Sequence, residues 1–152
     1  MAARFAAYAL IIVVAGGHLI GRASGDEKPR PSWVTGRTSQ GAAAGMKLDD
    51  LRVVVVGMRW SAACTDSQTY AQHSSFSDSP DTDWRHRGKT FSASFQRMYT
   101  DPAGETHTVT GELNGVSRGR GAHGTVSFEA DWDGGDREVN CSTGALSWRA
   151  GG

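Results

Sequence analysis

The chain has 152 residues, with 16 basic and 16 acidic side chains and a formal net charge of zero. A chain of this length is long enough for one domain with a substantial hydrophobic core. Its neutral balance argues against nucleic-acid binding, because such binding requires a basic face that displaces counterions from phosphate groups.

The first 25 residues have the pattern of a secretory signal peptide. Arg4 provides a positive start, residues 6–14 are all apolar, and small residues at 23–25 form a cleavage site. An uncleaved anchor is the alternative, but the loosely apolar stretch over 5–21 has 17 residues and is interrupted by His18. A membrane-spanning helix needs about 20 apolar residues, so cleavage is the favoured interpretation.

Residues 26–32 are polar, contain two prolines, and predict a flexible linker before a domain at 33–150. Residues 33–40 and 46–48 predict the first two strands. Leu51–Cys64 contains the only run of four β-branched residues, at 53–56, and both of its faces are apolar. This pattern predicts a central strand that is covered on both sides.

Thr65–Arg87 is polar and predicts one or two short strands in long loops, which are often functional or mobile. Beyond Gly88, alternating apolar residues predict strands within 91–99, 105–113, 126–132, 137–143 and 144–150. Turn signals separate these strands at 101–104, 114–115 and 133–136, and residues 119–124 form a glycine-dense loop.

No window of the mature chain has a convincing helical period. The predicted fold class is therefore all-β: an antiparallel sandwich or barrel, jelly-roll-like, with about eight to ten strands. Cys64 and Cys141 are the only cysteines and are expected to form a disulfide in an exported chain, although two buried thiols are the alternative. Neither lies in a CxxC or zinc-ligand spacing, so no metal or other cofactor is predicted.

Three short motifs carry a resemblance to known proteins. They are Gly36-Arg37-Thr38-Ser39-Gln40-Gly41, Trp60-Ser61-Ala62-Ala63-Cys64, and Cys141-Ser142-Thr143-Gly144 followed by Trp148. The chain resembles a group of exported bacterial β-rich proteins of uncharacterised function, with a G-x-T-S-Q start and a C-x-T-G-x-x-x-W end. The resemblance implies a secreted all-β domain with linked cysteines, and it implies no activity.

Catalytic motifs are weak in this sequence. Serines, acids and five histidines are present, but the G-x-S-x-G nucleophile motif is absent. A small hydrolase that uses His86 or His123 is therefore an alternative, not the preferred reading, and His107 is expected to be a satisfied buried imidazole. The acidic segment at 131–136 could bind calcium, but it lacks the EF-hand ligand spacing and favours an ordinary hairpin turn.

Trp84 is the residue that most suggests a binding site, because it lies among charged residues in Asp81–Arg87. An exposed indole in such surroundings is typical of a sugar-stacking or protein-contact site, whereas an indole folded over the sheet would be a lid on the core. The predicted ligand-binding residues are Trp84, Arg85, His86 and Tyr70.

The preferred function is that of a secreted or cell-envelope β domain that binds a ligand without catalysis. Its expected partner is a cell-envelope polysaccharide or protein, with no nucleic acid, and with membrane contact only through an uncleaved N-terminal segment. The alternatives are the small extracellular hydrolase and a structural envelope component without a ligand.

Overall fold

The computed structural model describes residues 32–102, 104–133 and 138–151. The predicted signal peptide at 1–25 and linker residues 26–31 lie outside this part, while Ser32 already belongs to the first strand. The ten strands are β1 (Ser32–Thr38), β2 (Ala43–Asp49), β3 (Arg52–Cys64), β4 (Thr69–Ser77), β5 (Asp83–Arg87), β6 (Thr90–Thr100), β7 (Thr106–Arg118), β8 (Gly121–Asp133), β9 (Glu138–Ser142) and β10 (Leu146–Ala150). The described residues contain no helix with the length and apolar character that crossing a bilayer requires.

All ten strands belong to one antiparallel sheet. The main order is β10-β1-β2-β3-β9-β8-β7-β6-β5, and β4 pairs with the other edge of β3. β8 also pairs with β10, so the pairings β3–β2–β1–β10–β8–β9–β3 form a closed ring. The predicted all-β antiparallel fold is therefore confirmed, as one ten-stranded sheet.

The core lies between β3 and β4 on one side and β6 to β8 on the other. Trp60 of β3 stacks on Phe128 of β8, with ring centroids 4.7 Å apart and planes 5° from parallel. Phe76 of β4 contacts Phe95 and Phe128 at centroid distances of 5.0 and 5.8 Å. Aromatic pairs at such distances contribute to stability beyond the area that they bury.

β3 is central, as predicted, but only one of its faces is covered. Leu48 pairs with Val53 and Lys47 pairs with Val55, so Val54 is an extra residue in a β-bulge. The bulge interrupts the alternation of side chains along β3. As a consequence, Val53 and Val56 both face the core, whereas Val54 and Val55 are half-exposed. The expectation of two covered faces is wrong for this reason.

Regions predicted as loops are largely strands. Thr65–Arg87 contains β4 and β5, and the connections at 65–68 and 78–82 are short. β7 continues through the predicted turn at 114–115, and β8 begins at Gly121 inside the predicted glycine loop. Gly115 and Gly124 are directly paired, and a Cβ on Gly115 would overlap the Phe91 ring. These two glycines therefore permit close packing within strands and do not form turns.

β4 and β5 are the two edge strands of the sheet. We call the gap between β4 and the neighbouring strands β5 and β6 the seam. No backbone pairing crosses it within the described part of the chain. One side chain forms a hydrogen bond across the seam, and a second links β5 to β3 beside it. Arg97 of β6 donates to the Ser75 carbonyl oxygen at 3.4 Å, and His86 of β5 lies 2.9 Å from the Val53 carbonyl oxygen.

The predicted disulfide between Cys64 and Cys141 is confirmed. The two residues are directly opposite in the β3–β9 pairing, so the covalent bond reinforces one joint of the closed ring. A disulfide is typical of an oxidising compartment outside the cytosol, which agrees with the predicted export.

Candidate ligand-binding face

A groove of about 660 Å³ lies on the outward-facing side of β6 to β8, with the 80–83 segment at its margin. Its polar lining consists of carboxylates, hydroxyls and one amide, and no lysine or arginine of the described residues lines it. The polar lining residues are Asp81, Thr82, Asp83, Ser94, Gln96, Thr110, Glu112, Ser127 and Glu129.

Strand register explains why these side chains meet. Ser94 pairs with Glu112, which in turn pairs with Ser127, so the three side chains form one row across β6, β7 and β8. The next row on the same face contains Thr110 and Glu129. Side chains directly opposite each other in a sheet have Cβ atoms about 4.5–5.5 Å apart, so one extended ligand can reach several of them.

The acidic character continues along β8 beyond this groove. Glu129 also lines a second recess of about 430 Å³, and Asp131 lines that recess and a third of about 430 Å³. Ser127 to Asp133 spans roughly 20 Å at the rise of an extended strand. We call this continuous surface the acidic track, and its carboxylates are Asp81, Asp83, Glu112, Glu129, Asp131, Asp133 and Glu138.

One carboxylate of the acidic track is neutralised locally. Arg85 makes two hydrogen bonds to Asp83, with Nε–Oδ1 and Nη2–Oδ2 distances of 3.0 and 2.6 Å. The hydrogen bond and charge of Asp83 raise the pKa of this exposed guanidinium. Glu112 and Glu129 form no ion pair with any other described residue. The centre of the groove therefore keeps an uncompensated negative charge.

Trp84 does not present a flat ring to solvent. Its indole is half-buried, packs against the core, and stacks on Phe91 with centroids 5.7 Å apart and an angle of 13°. Its Nε1 is buried and has no hydrogen-bond partner among the described residues. The geometry is that of the lid on the core, which was the alternative interpretation of this residue, and a ligand-binding role for Trp84 stays a prediction.

His86 faces inward beside Trp84. Its Nε2 donates to the Val53 carbonyl oxygen, which fixes the protonated nitrogen of the neutral ring. Burial lowers the pKa of His86, and the nearby Arg52 charge lowers it further, against the opposing effects of the Val53 hydrogen bond and the Asp78 charge. This imidazole is therefore held mostly neutral and joins β5 to β3.

Tyr70 lies in a separate aromatic group. It contacts Trp60, His107 and Trp132, at centroid distances of 5.6, 6.1 and 5.5 Å. Tyr70 is opposite Ala62 near one end of β3, whereas His86 contacts Val53 near the other. Nine residues of extended strand separate these two positions by roughly 30 Å along β3. Arg85 is the one predicted site residue that borders the acidic track.

His107 is buried, as expected, but only one of its nitrogens has a partner. Its Nε2 is 3.2 Å from Asp101 Oδ2, and its buried Nδ1 has no partner within the part of the chain that the structure describes. Tyr99 stacks on the ring at 5.2 Å, so this end of the interior is filled by aromatic side chains. A carboxylate oxygen of Glu105 lies close enough to this pair for the three side chains to share a metal ion. The hydrogen bond between His107 and Asp101 explains the grouping without an ion.

The hydrolase alternative gains no support from these positions. His86 is bonded to a backbone carbonyl and His123 is exposed on β8, and no hydrogen bond joins a serine hydroxyl to a histidine within residues 32–102, 104–133 and 138–151. A serine nucleophile needs such a contact with its general base.

Sequence reasoning missed Glu112 and Glu129 as candidate site residues. The signal was present in the alternation, because the outward positions of β6 to β8 carry Ser, Thr, Gln, Asn, Glu and Asp along most of their length. The alternation of residues does not reveal the register between strands, and the register determines which carboxylates are neighbours.

A scan of protein-family models and searches of curated proteins and solved structures found no match to this chain. The resemblance to exported β-rich proteins stays a prediction, and the function must be inferred from the chain itself.

Proposed function

We propose that this protein is an extracytoplasmic binding module whose acidic track holds a polysaccharide bearing free amino groups. The observation that carries this proposal is a groove of about 660 Å³ that contains four carboxylates and no lining cation. A site of this kind attracts cationic ligands and repels anionic ones, and both effects are strongest at low salt concentration, where screening is weakest.

The neutral part of the lining supports a ligand with many hydroxyl groups. Ser94, Thr110 and Ser127 each offer a hydroxyl that donates and accepts hydrogen bonds, and Gln96 offers an amide that does the same. Hydroxyl groups of a sugar need partners of both kinds. Amino groups of the same polymer would pair with Glu112 and Glu129.

A protein partner is less well matched to this surface. Energetic hot spots of protein interfaces are enriched in Trp, Tyr and Arg that fill pockets, and the groove lining contains none of these residues. The roughly 20 Å length of the track suits an extended polymer, because successive recesses along β8 repeat the same carboxylate chemistry.

The test is a calorimetric titration with soluble glucosamine oligomers, with fully N-acetylated oligomers of the same length as the comparison ligand. We expect binding only of the free-amine form, and at least about a tenfold loss in the double variant Glu112→Gln/Glu129→Gln, because two charge-assisted contacts disappear. Raising the salt concentration should weaken the wild-type interaction.

The control is Asp49→Asn/Asp50→Asn, which removes the same charge from the turn between β2 and β3, outside the acidic track. We expect this variant to bind like the wild type. Equal binding of acetylated and free-amine oligomers would refute the proposal. Equal binding of a lysine peptide would assign the face to basic proteins instead.

A further inference from the structure

Three hairpin turns meet at the end of the molecule that lies near Val53. The turns β2–β3, β5–β6 and β7–β8 line one recess of about 410 Å³, to which Leu51, Gly88 and Gly119 contribute. Ser117 fixes two of the turns together, because its backbone N and its Oγ both donate to the Lys89 carbonyl oxygen at 2.8 and 3.1 Å. The three turns therefore form one contiguous surface.

This surface is strongly positive. Five exposed cationic side chains project from the turns, against three carboxylates, those of Asp49 and Asp50 on the turns and that of Asp78 near His86. The cations are Arg52, Arg87, Lys89, Arg118 and Arg120. We call these three turns and the adjoining start of β1 the basic end. The imbalance is local, because the whole chain has no net charge.

The basic end also carries exposed apolar side chains. The structure exposes three large hydrophobic residues strongly, and two of them, Trp33 at 64% and Leu51 at 60%, are here. Leu51 has a φ of 63°, a conformation that is unfavourable for a residue with a branched apolar side chain. Backbone strain of this kind is tolerated where a position serves something other than stability.

The start of β1 lies at the same end of the sheet. Ser32 begins β1 opposite Leu48, immediately before the turn that carries Leu51. The apolar run at residues 6–14 precedes Ser32 in the sequence.

We propose that the basic end docks on an anionic lipid surface. Arginine and lysine side chains near such a surface are each attracted by roughly 1 kcal/mol, and tryptophan favours the headgroup level of a bilayer. Leu51 on the β2–β3 turn inserts below the headgroups, and Trp33 near the start of β1 lies at the headgroup level. A soluble polyanion would use the five cations but would gain nothing from the two exposed apolar side chains.

The docking orientation leaves the acidic track accessible. The track runs along β8 toward Asp133, away from the turn at Gly119, so its far carboxylates are not repelled at an anionic surface. This inference stands independently of the proposed ligand, because it uses different residues.

The test is flotation of the full chain with two kinds of vesicle: phosphatidylcholine alone, and phosphatidylcholine with about 30% phosphatidylglycerol. The anionic headgroups of the second kind give its surface a negative potential. Binding to neutral vesicles measures any contribution of the N-terminal apolar run. We expect the anionic vesicles to bind the wild type at least about tenfold more strongly, and Arg118→Glu/Arg120→Glu to remove that excess. The matched control is Arg59→Glu/Arg149→Glu, which makes the same charge change on exposed strand positions and should keep the excess.

A second variant separates docking from folding. Leu51→Asn should raise the midpoint of thermal unfolding, because Asn tolerates positive φ, and should lower binding to anionic vesicles several-fold. A variant that is more stable and binds less cannot be explained by misfolding. Retention of full binding in both Arg118→Glu/Arg120→Glu and Leu51→Asn would overturn the proposal. So would complete competition by soluble polyphosphate together with unchanged binding in Leu51→Asn, since that outcome assigns the cations to a soluble anion.

Discussion

The two ends of this sheet are built in opposite ways. At the end near Cys64, a disulfide joins β3 to β9, and the interior is filled by Tyr70, Tyr99, His107 and Trp132. At the basic end, a strained turn exposes Leu51, and like charges are close together on neighbouring turns. The first arrangement stabilises the fold, whereas the second opposes it.

This difference indicates where in the molecule function is expected. Natural proteins keep strain and like-charge repulsion where they are needed for recognition and compensate for them elsewhere. The cross-linked end provides such compensation here. The comparison can be tested by measuring how much stability each end contributes.

The largest expected effect comes from the disulfide. Its cysteines are separated by 77 positions in the sequence, and on the chain-entropy model closing a loop of this size stabilises the fold by up to about 4.5 kcal/mol. We expect reduction to lower the free energy of unfolding by about 3–4 kcal/mol in urea titrations. Cys64→Ser/Cys141→Ser should reproduce this value and show no response to reductant, since no other cysteine is present. A change below about 1 kcal/mol would show that the cross-linked end is not the more stable one.

The next effect tests the packing near the basic end. Gly115→Ala places a methyl group in the Phe91 ring, so we expect a loss of about 2–3 kcal/mol from overpacking. Asn114→Ala, at the adjacent exposed position of β7, is the control and should change stability by less than about 0.5 kcal/mol.

A double-mutant cycle shows whether the clash itself is responsible. Adding Phe91→Leu to Gly115→Ala should recover part of the lost stability, because the smaller side chain leaves room for the methyl group. If the two substitutions were simply additive, the close approach of Gly115 to the Phe91 ring would not be the cause.

The smallest effect is a pH dependence at His86. Its folded pKa is lowered, chiefly by burial, so the unfolded chain binds the proton more readily. The stability from neutral His86 is complete above the unfolded pKa of about 6.5 and is lost as the pH falls below it. We expect His86→Gln to flatten the dependence of the unfolding midpoint on pH between about pH 7 and 5. An unaltered slope in His86→Gln would place the titrating group elsewhere.

Much of the fold could be predicted from local patterns. The alternation of apolar residues gave the strand class, and export with two cysteines gave the disulfide, because both depend on short-range chemistry. The glycines misled the prediction at 114–115 and 119–124. A glycine in a turn and a glycine under an aromatic ring look the same in sequence, and only the partner strand distinguishes Gly115 from Gly119.

The candidate site was less accessible to sequence reasoning. Trp84 attracted attention because its neighbours are charged, yet strand alternation turns those neighbours outward and the indole inward. Glu112 and Glu129 are 17 positions apart, and they share a groove only because β7 and β8 pair in one particular register. That register depends on packing across the whole sheet, which no short window of residues contains.

The seam has a consequence for how this protein opens. Each junction between neighbouring strands in the main order is a ladder of backbone hydrogen bonds, whereas the described hydrogen bonds at the seam come from side chains: Arg97 links β6 to β4, and His86 links β5 to β3. Side-chain links break without disrupting a ladder, so separation of β4 from β5 and β6 should be the first step of subglobal unfolding. Amide protons that line this gap should exchange with solvent deuterium sooner than those in the closed ring. The same gap would leave the unpaired margins of β4 and β5 as the places where two molecules could join by exchanging strands.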